Sequence, residues 1–136
     1  MTTGRPQVIV VDAANVIGSR PDGWWRDRPG AARRLLTKLA VLQQHLQDTT
    51  NIIVILEGAA RAATSGPDAP DTGGLSVVLA PGSGDDTIAA VTAESAAQAH
   101  KPEVTVVTAD RGLRQRVEPT GATAVGPRWL LDQLTS

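Results

Sequence analysis

Four short aliphatic runs dominate the chain: Gln7 to Asp12 (QVIVVD), Asn51 to Glu57 (NIIVILE), Leu75 to Leu79 (LSVVL) and Glu103 to Thr108 (EVTVVT). The first two are apolar at consecutive positions, the pattern of a strand buried on both faces of a parallel sheet. Helix-like segments lie between the runs. Leu35, Leu39, Leu42 and Leu46 mark one face of an amphipathic helix, and Pro29 suits its first turn. The turn Pro81 to Gly84 (PGSG) opens a second helix from about Ser83 to Ala99, with Ile88 and Val91 inward and Pro102 closing the region. Asp110 starts a short helix holding Leu113 and Val117, Ala122 to Val125 reads as a fifth short strand, and Pro127 to Leu134 reads as a closing helix with Trp129, Leu130 and Leu134 inward. Ala13 to Pro29 reads as a loop, and so does Gly58 to Gly74, with a helical turn near Ala59 to Ala63. Strands separated by helices predict an α/β three-layer sandwich around a parallel sheet. No repeat or linker divides residues 1–136, so a single domain is expected.

Composition removes several functional classes. The absence of cysteine excludes disulfides, thiolate zinc sites and a cysteine nucleophile, and the two histidines, 45 and 100, are too far apart in sequence to suggest a histidine-rich metal site. A net charge of −1 supplies no global field toward nucleic acid or a membrane, so any polyanion site must come from local clustering. The start, MTTGRPQ, lacks a charged region followed by an apolar stretch, and no apolar run approaches the ~20 residues of a membrane span. A cytoplasmic protein without membrane contact is the default expectation. Its small size is compatible with a homodimer.

The acids are placed with more order than the composition requires. Asp12 follows the first run, Glu57 ends the second, Asp85 and Asp86 follow the third, and Asp110 follows the fourth. In an open parallel sheet, ligands bind beyond the carboxyl ends of the strands, where the strand order reverses. If the order is 3-2-1-4-5, Asp12 and Asp110 face each other across that point. Carboxylates within about 4–6 Å raise one another's pKa, and a hard divalent cation with oxygen ligands is the usual remedy. Each acid also has a local reading. Asp12 can simply end a strand, Asn15 and Asp110 can be helix N-caps, and Ser83 with Asp86 can form a capping box. Asp85 can favour a helix N-terminus, and Glu57 can close an edge-adjacent strand.

VIVVDAANVIGS, PGSGDDTI and VTVVTADRGL, in that order, resemble the PIN-like nuclease superfamily and more closely its NYN/YacP-like branch. The shared features are a hydrophobic strand ending D-x-x-N, a Gly-rich turn into a helix with an acid in its first turn, and a strand followed by T/S-x-D. The resemblance runs from about Gln7 to Leu131 and implies a sheet of order 3-2-1-4-5 with a metal-dependent ribonuclease site. It assigns Asp12 as the first-strand acid, Asn15 as its companion amide, Asp85 as the helix-start acid with Asp86 beside it, and Asp110 as the fourth-strand acid. Asp12, Asp85 and Asp110 would then hold Mg²⁺ or Mn²⁺, with Asn15 orienting water or phosphate and Asp86 as a further ligand or outer acceptor. The chain departs from the pattern at two points: Ala13 stands where such proteins often have Gly, and no acid occupies the helix after the first strand, for which Glu57 is a substitute candidate.

Arg20 to Arg34 (RPDGWWRDRPGAARR) holds a local excess of arginine. Guanidinium groups suit phosphate, and indoles stack on unpaired bases. Trp24, Arg26 and Arg28 are therefore candidate RNA-binding residues, joined by Arg111 next to Asp110, and with less support by Arg61. Arg111 can equally pair with Asp85 or Asp86, and one tryptophan can serve only to anchor the loop. The expected function is hydrolysis of RNA phosphodiesters by metal-activated water. The alternative is a catalytically inactive RNA-binding or protein-interaction module on the same fold. A phosphotransfer domain with Asp12 as nucleophile ranks below both, because Ala14 breaks the D-x-D spacing.

Overall fold

The structure, a computed structural model, describes residues 6–46 and 48–134. Met1 to Arg5, part of the segment read for a targeting signal, lie outside them. Five strands, β1 (Gln7–Asp12), β2 (Thr50–Leu56), β3 (Ser76–Leu79), β4 (Glu103–Val107) and β5 (Thr123–Val125), form one parallel sheet in the order β3-β2-β1-β4-β5. β1 is central, with Val11 in register with Val54 on one side and Val107 on the other. The order reverses between β1 and β4, so the carboxyl ends of these two strands flank the switch point.

Both faces are covered, by helices α1 (Ala13–Gly18), α2 (Arg28–His45), α3 (Gly84–Ala96), α4 (Arg111–Val117) and α5 (Pro127–Leu134). Side chains alternate along a strand, and in β1 this sends Ile9 and Val11 into a core with Val16, Leu36, Leu39 and Leu130, while Val8 and Val10 join Ile88, Leu113 and Val117 on the other face. The aliphatic runs of the sequence thus serve two cores at once.

The long helix α2 begins at an N-cap. Asp27 Oδ1 accepts a hydrogen bond from the Gly30 N–H at 3.0 Å, and Pro29 occupies the first turn. A Cβ at position 30 would press on the Asp27 carboxylate, which makes glycine the residue that fits. Asp27→Ala is expected to cost about 1 kcal/mol, the usual penalty for a lost cap, readable as a lower urea midpoint with an unchanged m-value. At the far end the Gln43 amide donates to Thr50 O at 2.7 Å and accepts from Ile52 N–H at 2.8 Å, tying α2 to the start of β2.

Three local expectations are corrected. Ala13 to Pro29 is not all loop: α1 follows Asp12 directly, and Trp24–Arg26 forms a 3-10 turn. Trp129 is 40% exposed rather than inward, because Pro127, Leu130, Leu131 and Leu134 already make the inner stripe of α5 at helical spacing. The capping box at Ser83 does not form, since the Ser83 side chain makes no cap hydrogen bond and Asp86 pairs elsewhere.

Candidate active site

Asp12 ends β1 and is 6% exposed. Its Oδ1 accepts from the Asn15 N–H at 3.2 Å, which makes it the N-cap of α1. Its Oδ2 accepts from the Thr108 hydroxyl at 2.9 Å, and the same hydroxyl oxygen accepts from the Asp110 N–H at 3.1 Å. Asp110 Oδ1 in turn caps α4 through the Leu113 N–H at 3.0 Å. A second tie runs in parallel, from the Ala109 N–H to Asn15 Oδ1 at 2.9 Å. The β1–α1 junction and the turn after β4 are therefore tied across the switch point by one hydrogen bond between side chains and one from backbone N–H to side chain. The cap reading of Asp110 is realised, but the cap offered to Asn15 belongs to Asp12, because α1 starts at Ala13 and holds Asn15 inside it; the two caps fix the carboxylates in place.

The third acidic position comes from α3. Asp85 sits half-buried in its first turn, and the buried Gly84 before it donates its N–H to Glu57 Oε2 at 2.7 Å. A Cβ at position 84 would lie 2.7 Å from the Glu57 carboxyl carbon, so the glycine is what lets the end of β2 dock on the start of α3. Asp86 is exposed and pairs with Arg116 at 3.0 Å, the role that the sequence offered to Arg111. Arg61 donates to Ala80 O and Gly58 O, both at 3.3 Å, and braces the neighbouring loops.

The acids sense one another. Burial pushes the Asp12 carboxyl above the ordinary carboxylate value, the Thr108 and Asn15 hydrogen bonds oppose this, and repulsion from Asp85 and Glu57 adds to it. Asp85 is also raised, first by burial, then by the charges of Asp110 and Glu57, with Arg116 opposing. Asp85 is thus the hub of a negative region fed by β1, β2, α3 and the β4–α4 turn. Among the described residues no three Asp, Glu or His side chains are grouped closely enough to enclose a metal ion. The donor set is all oxygen, mutually repulsive and partly open. That suits a hydrated hard cation, which keeps several waters and takes one or two carboxylates.

Beside the acids lie two cavities, of about 770 Å³ and about 370 Å³. Asn15, Ala109, Arg20 and Arg128 line the larger, Glu57 and Arg28 the smaller, and Ala14 and Trp24 line both. Trp24 rests against α1, its Cζ2 3.7 Å from where a Gly18 Cβ would stand. The Arg28 guanidinium lies 5.5 Å from its ring centroid. Trp25, 55% exposed, meets Trp24 edge-on at 6.0 Å and carries Arg26 at 5.8 Å. Arg111, the first residue of α4, is exposed. Sequence reasoning passed over Thr108 as a participant, although V-T-A-D placed its hydroxyl two residues before the acid. It also passed over Arg116 and Arg128, which had no sequence signal.

No family model matches the chain, and no curated protein matches it. Among solved structures, the chain is similar to a mutant form of Rae1 (YacP) from Bacillus subtilis, with a TM-score of 0.72 and 19% sequence identity over 95% of this chain and 75% of that one. The two share a fold. It is the fold that the ordered motifs implied, a parallel sheet of order 3-2-1-4-5 covered on both sides. At this identity the likeness concerns architecture, and the chemistry must be argued from the side chains.

Proposed function

We propose that this protein is a divalent-metal-dependent ribonuclease, formed as one domain, that hydrolyses RNA phosphodiester bonds. One observation supports the reading: Asp12 and Asp110, distant in sequence, share the Thr108 hydroxyl at the switch-point edge of a sheet whose fold is shared with Rae1 (YacP), with Asp85 adding negative charge from the start of α3. Asp12, Asp85 and Asp110 would hold Mg²⁺ or Mn²⁺, directly or through water, with Glu57 adding negative charge nearby. The bound ion would activate water and neutralise charge on the phosphate.

The chain's own groups complete the chemistry. Asn15 commits Oδ1 to the Ala109 N–H, which leaves its NH₂ to donate to a phosphate oxygen or a water. The Thr108 hydroxyl holds Asp12 in one orientation. Asp86, tied to Arg116, serves as the outer acceptor. Arg26, Arg28, Arg111 and Trp24 supply contacts to phosphate and base. The reaction belongs in the cytoplasm and involves no membrane; no helix among the described residues is long and apolar enough to cross one. A homodimer would carry two such sites.

The second reading, a binding module without catalysis, draws on the open donor set and on the capping roles of Asp12 and Asp110. Incubation of the pure protein with single-stranded and structured RNA separates the two. The ribonuclease reading expects cleavage with Mn²⁺ or Mg²⁺, none in chelator, and none with Asp12→Asn. Cleavage that persists in chelator, or RNA binding without cleavage in any metal, defeats it.

A further inference from the structure

The larger cavity has a composition unlike that of the acidic edge it adjoins. Its wall carries Arg20 from the segment after α1 and Arg128 from the first turn of α5, with Asp132 the acid on the same wall. Trp24 supplies an aromatic surface, and Asn15 forms the boundary toward Asp12. Arg28 stacks on Trp24 but lines only the smaller cavity, so the larger one receives the indole without that cation. The volume, about 770 Å³, lies within the ~300–1,000 Å³ usual for small-molecule sites. A planar ring, two guanidinium groups and an amide donor together match a flat base carrying a phosphate. Aliphatic or purely anionic ligands would leave part of that set unused.

We propose that this cavity is a mononucleotide subsite, in which Trp24 stacks on one unpaired base and Arg20 and Arg128 hold the attached phosphate next to the bond being cut. The inference deepens the ribonuclease reading and rests on it for the identity of the ligand. It adds that the enzyme selects a nucleotide drawn out of a helical stack, with Trp24 dividing it from whatever enters the smaller cavity. The acids are not needed for this binding, so it is measurable without metal. Two cations against one acid suit a single phosphate better than a di- or triphosphate.

The test is titration of adenosine 5′-monophosphate, in chelator, into a Trp25→Phe/Trp129→Phe chain, in which Trp24 is the one remaining indole among the three tryptophans. The same titration by calorimetry on the unmodified chain guards against damage from the double change. Saturable quenching of Trp24 is expected. Arg20→Gln combined with Arg128→Gln should weaken the monophosphate about 10- to 150-fold, the range for lost charge-assisted hydrogen bonds. Adenosine without phosphate should respond little to that change. Trp24→Leu should weaken both ligands about 5- to 150-fold. Absence of saturable binding by both methods, or equal affinity in the double arginine variant, overturns the subsite. Phosphate-dependent binding in a protein that cleaves nothing leaves the subsite standing and removes the ribonuclease reading. Metal-dependent cleavage without monophosphate binding does the reverse.

Discussion

Asp85→Asn is expected to make the metal-free protein more stable at neutral pH while lowering RNA cleavage by about 10²-fold or more, the scale set by several kcal/mol of lost charge stabilisation. The stability half follows from proton linkage. Asp12 and Asp85 both have carboxyls raised above the ordinary 3.8, chiefly by burial and then by neighbouring acids. A carboxyl raised on folding binds its proton more tightly in the native state. Its contribution to stability is complete below 3.8 and is lost as pH rises through the raised native value. The metal-free wild type should therefore gain stability on mild acidification. Removing the Asp85 charge relieves Asp12, Asp110, Glu57 and Asp86 at once, so the variant should melt higher at pH 7 and the difference should shrink toward pH 4. Added Mn²⁺ reverses the order. A bound ion stabilises by RT ln(1 + [L]/Kd), about 2.7 kcal/mol at a hundredfold excess over Kd, and the variant should lose most of that gain. Thermal melts of both proteins across pH, with Mn²⁺ and with chelator, supply the readout. Equal melting temperatures at pH 7 together with equal Mn²⁺ responses would show that Asp85 is not the electrostatic hub.

The second large effect centres on Thr108. Its buried hydroxyl donates to Asp12 and accepts from the Asp110 N–H, so it links the acid that ends β1 to the acid that caps α4. Thr108→Val keeps the volume and β-branching but removes both hydrogen bonds. Oδ2 of the buried Asp12 carboxylate then loses its donor, while Oδ1 keeps the Asn15 N–H, at a cost of about 1–3 kcal/mol. The Thr108 hydrogen bond holds the Asp12 carboxyl down, and without it Asp12 rises further. The stability deficit should accordingly be larger at neutral pH than in acid, where a protonated carboxyl needs fewer donors. Cleavage should fall about 10- to 100-fold, as when a group that orients a metal ligand is removed. Thr108→Ser, which retains the hydroxyl, should recover most of both losses. If serine and valine behave alike, the hydroxyl is not what positions Asp12.

Much of this could be read from the residues in order. The aliphatic runs located the sheet strands to within a residue or two, because a strand covered on both faces has nowhere to put polar side chains. The leucine spacing located α2 for the related reason that a helix on one face of a sheet buries one stripe. The placement of Asp12, Asp85 and Asp110 at the carboxyl edge was readable because each stands at the end of a strand or in the segment that follows one, and topology carries such positions to a common edge. The short α1 was illegible: its six residues carry no periodicity, and it forms where the Asp12 cap and the burial of Val16 favour it.

One local motif misled because distant partners competed. Ser83 and Asp86 have the spacing of a capping box, but Glu57, 27 residues before Gly84, takes the Gly84 N–H and Arg116 takes Asp86. The amino-acid order thus determined the strands, the longer helices and which carboxylates reach the carboxyl edge, since these depend on patterns of polarity that one chain segment contains in itself. Only the tertiary structure decided that Thr108 bridges Asp12 to Asp110, that Glu57 holds the start of α3, and that Arg20 and Arg128 share a cavity with Trp24. Those relations depend on distances between segments, which packing alone sets.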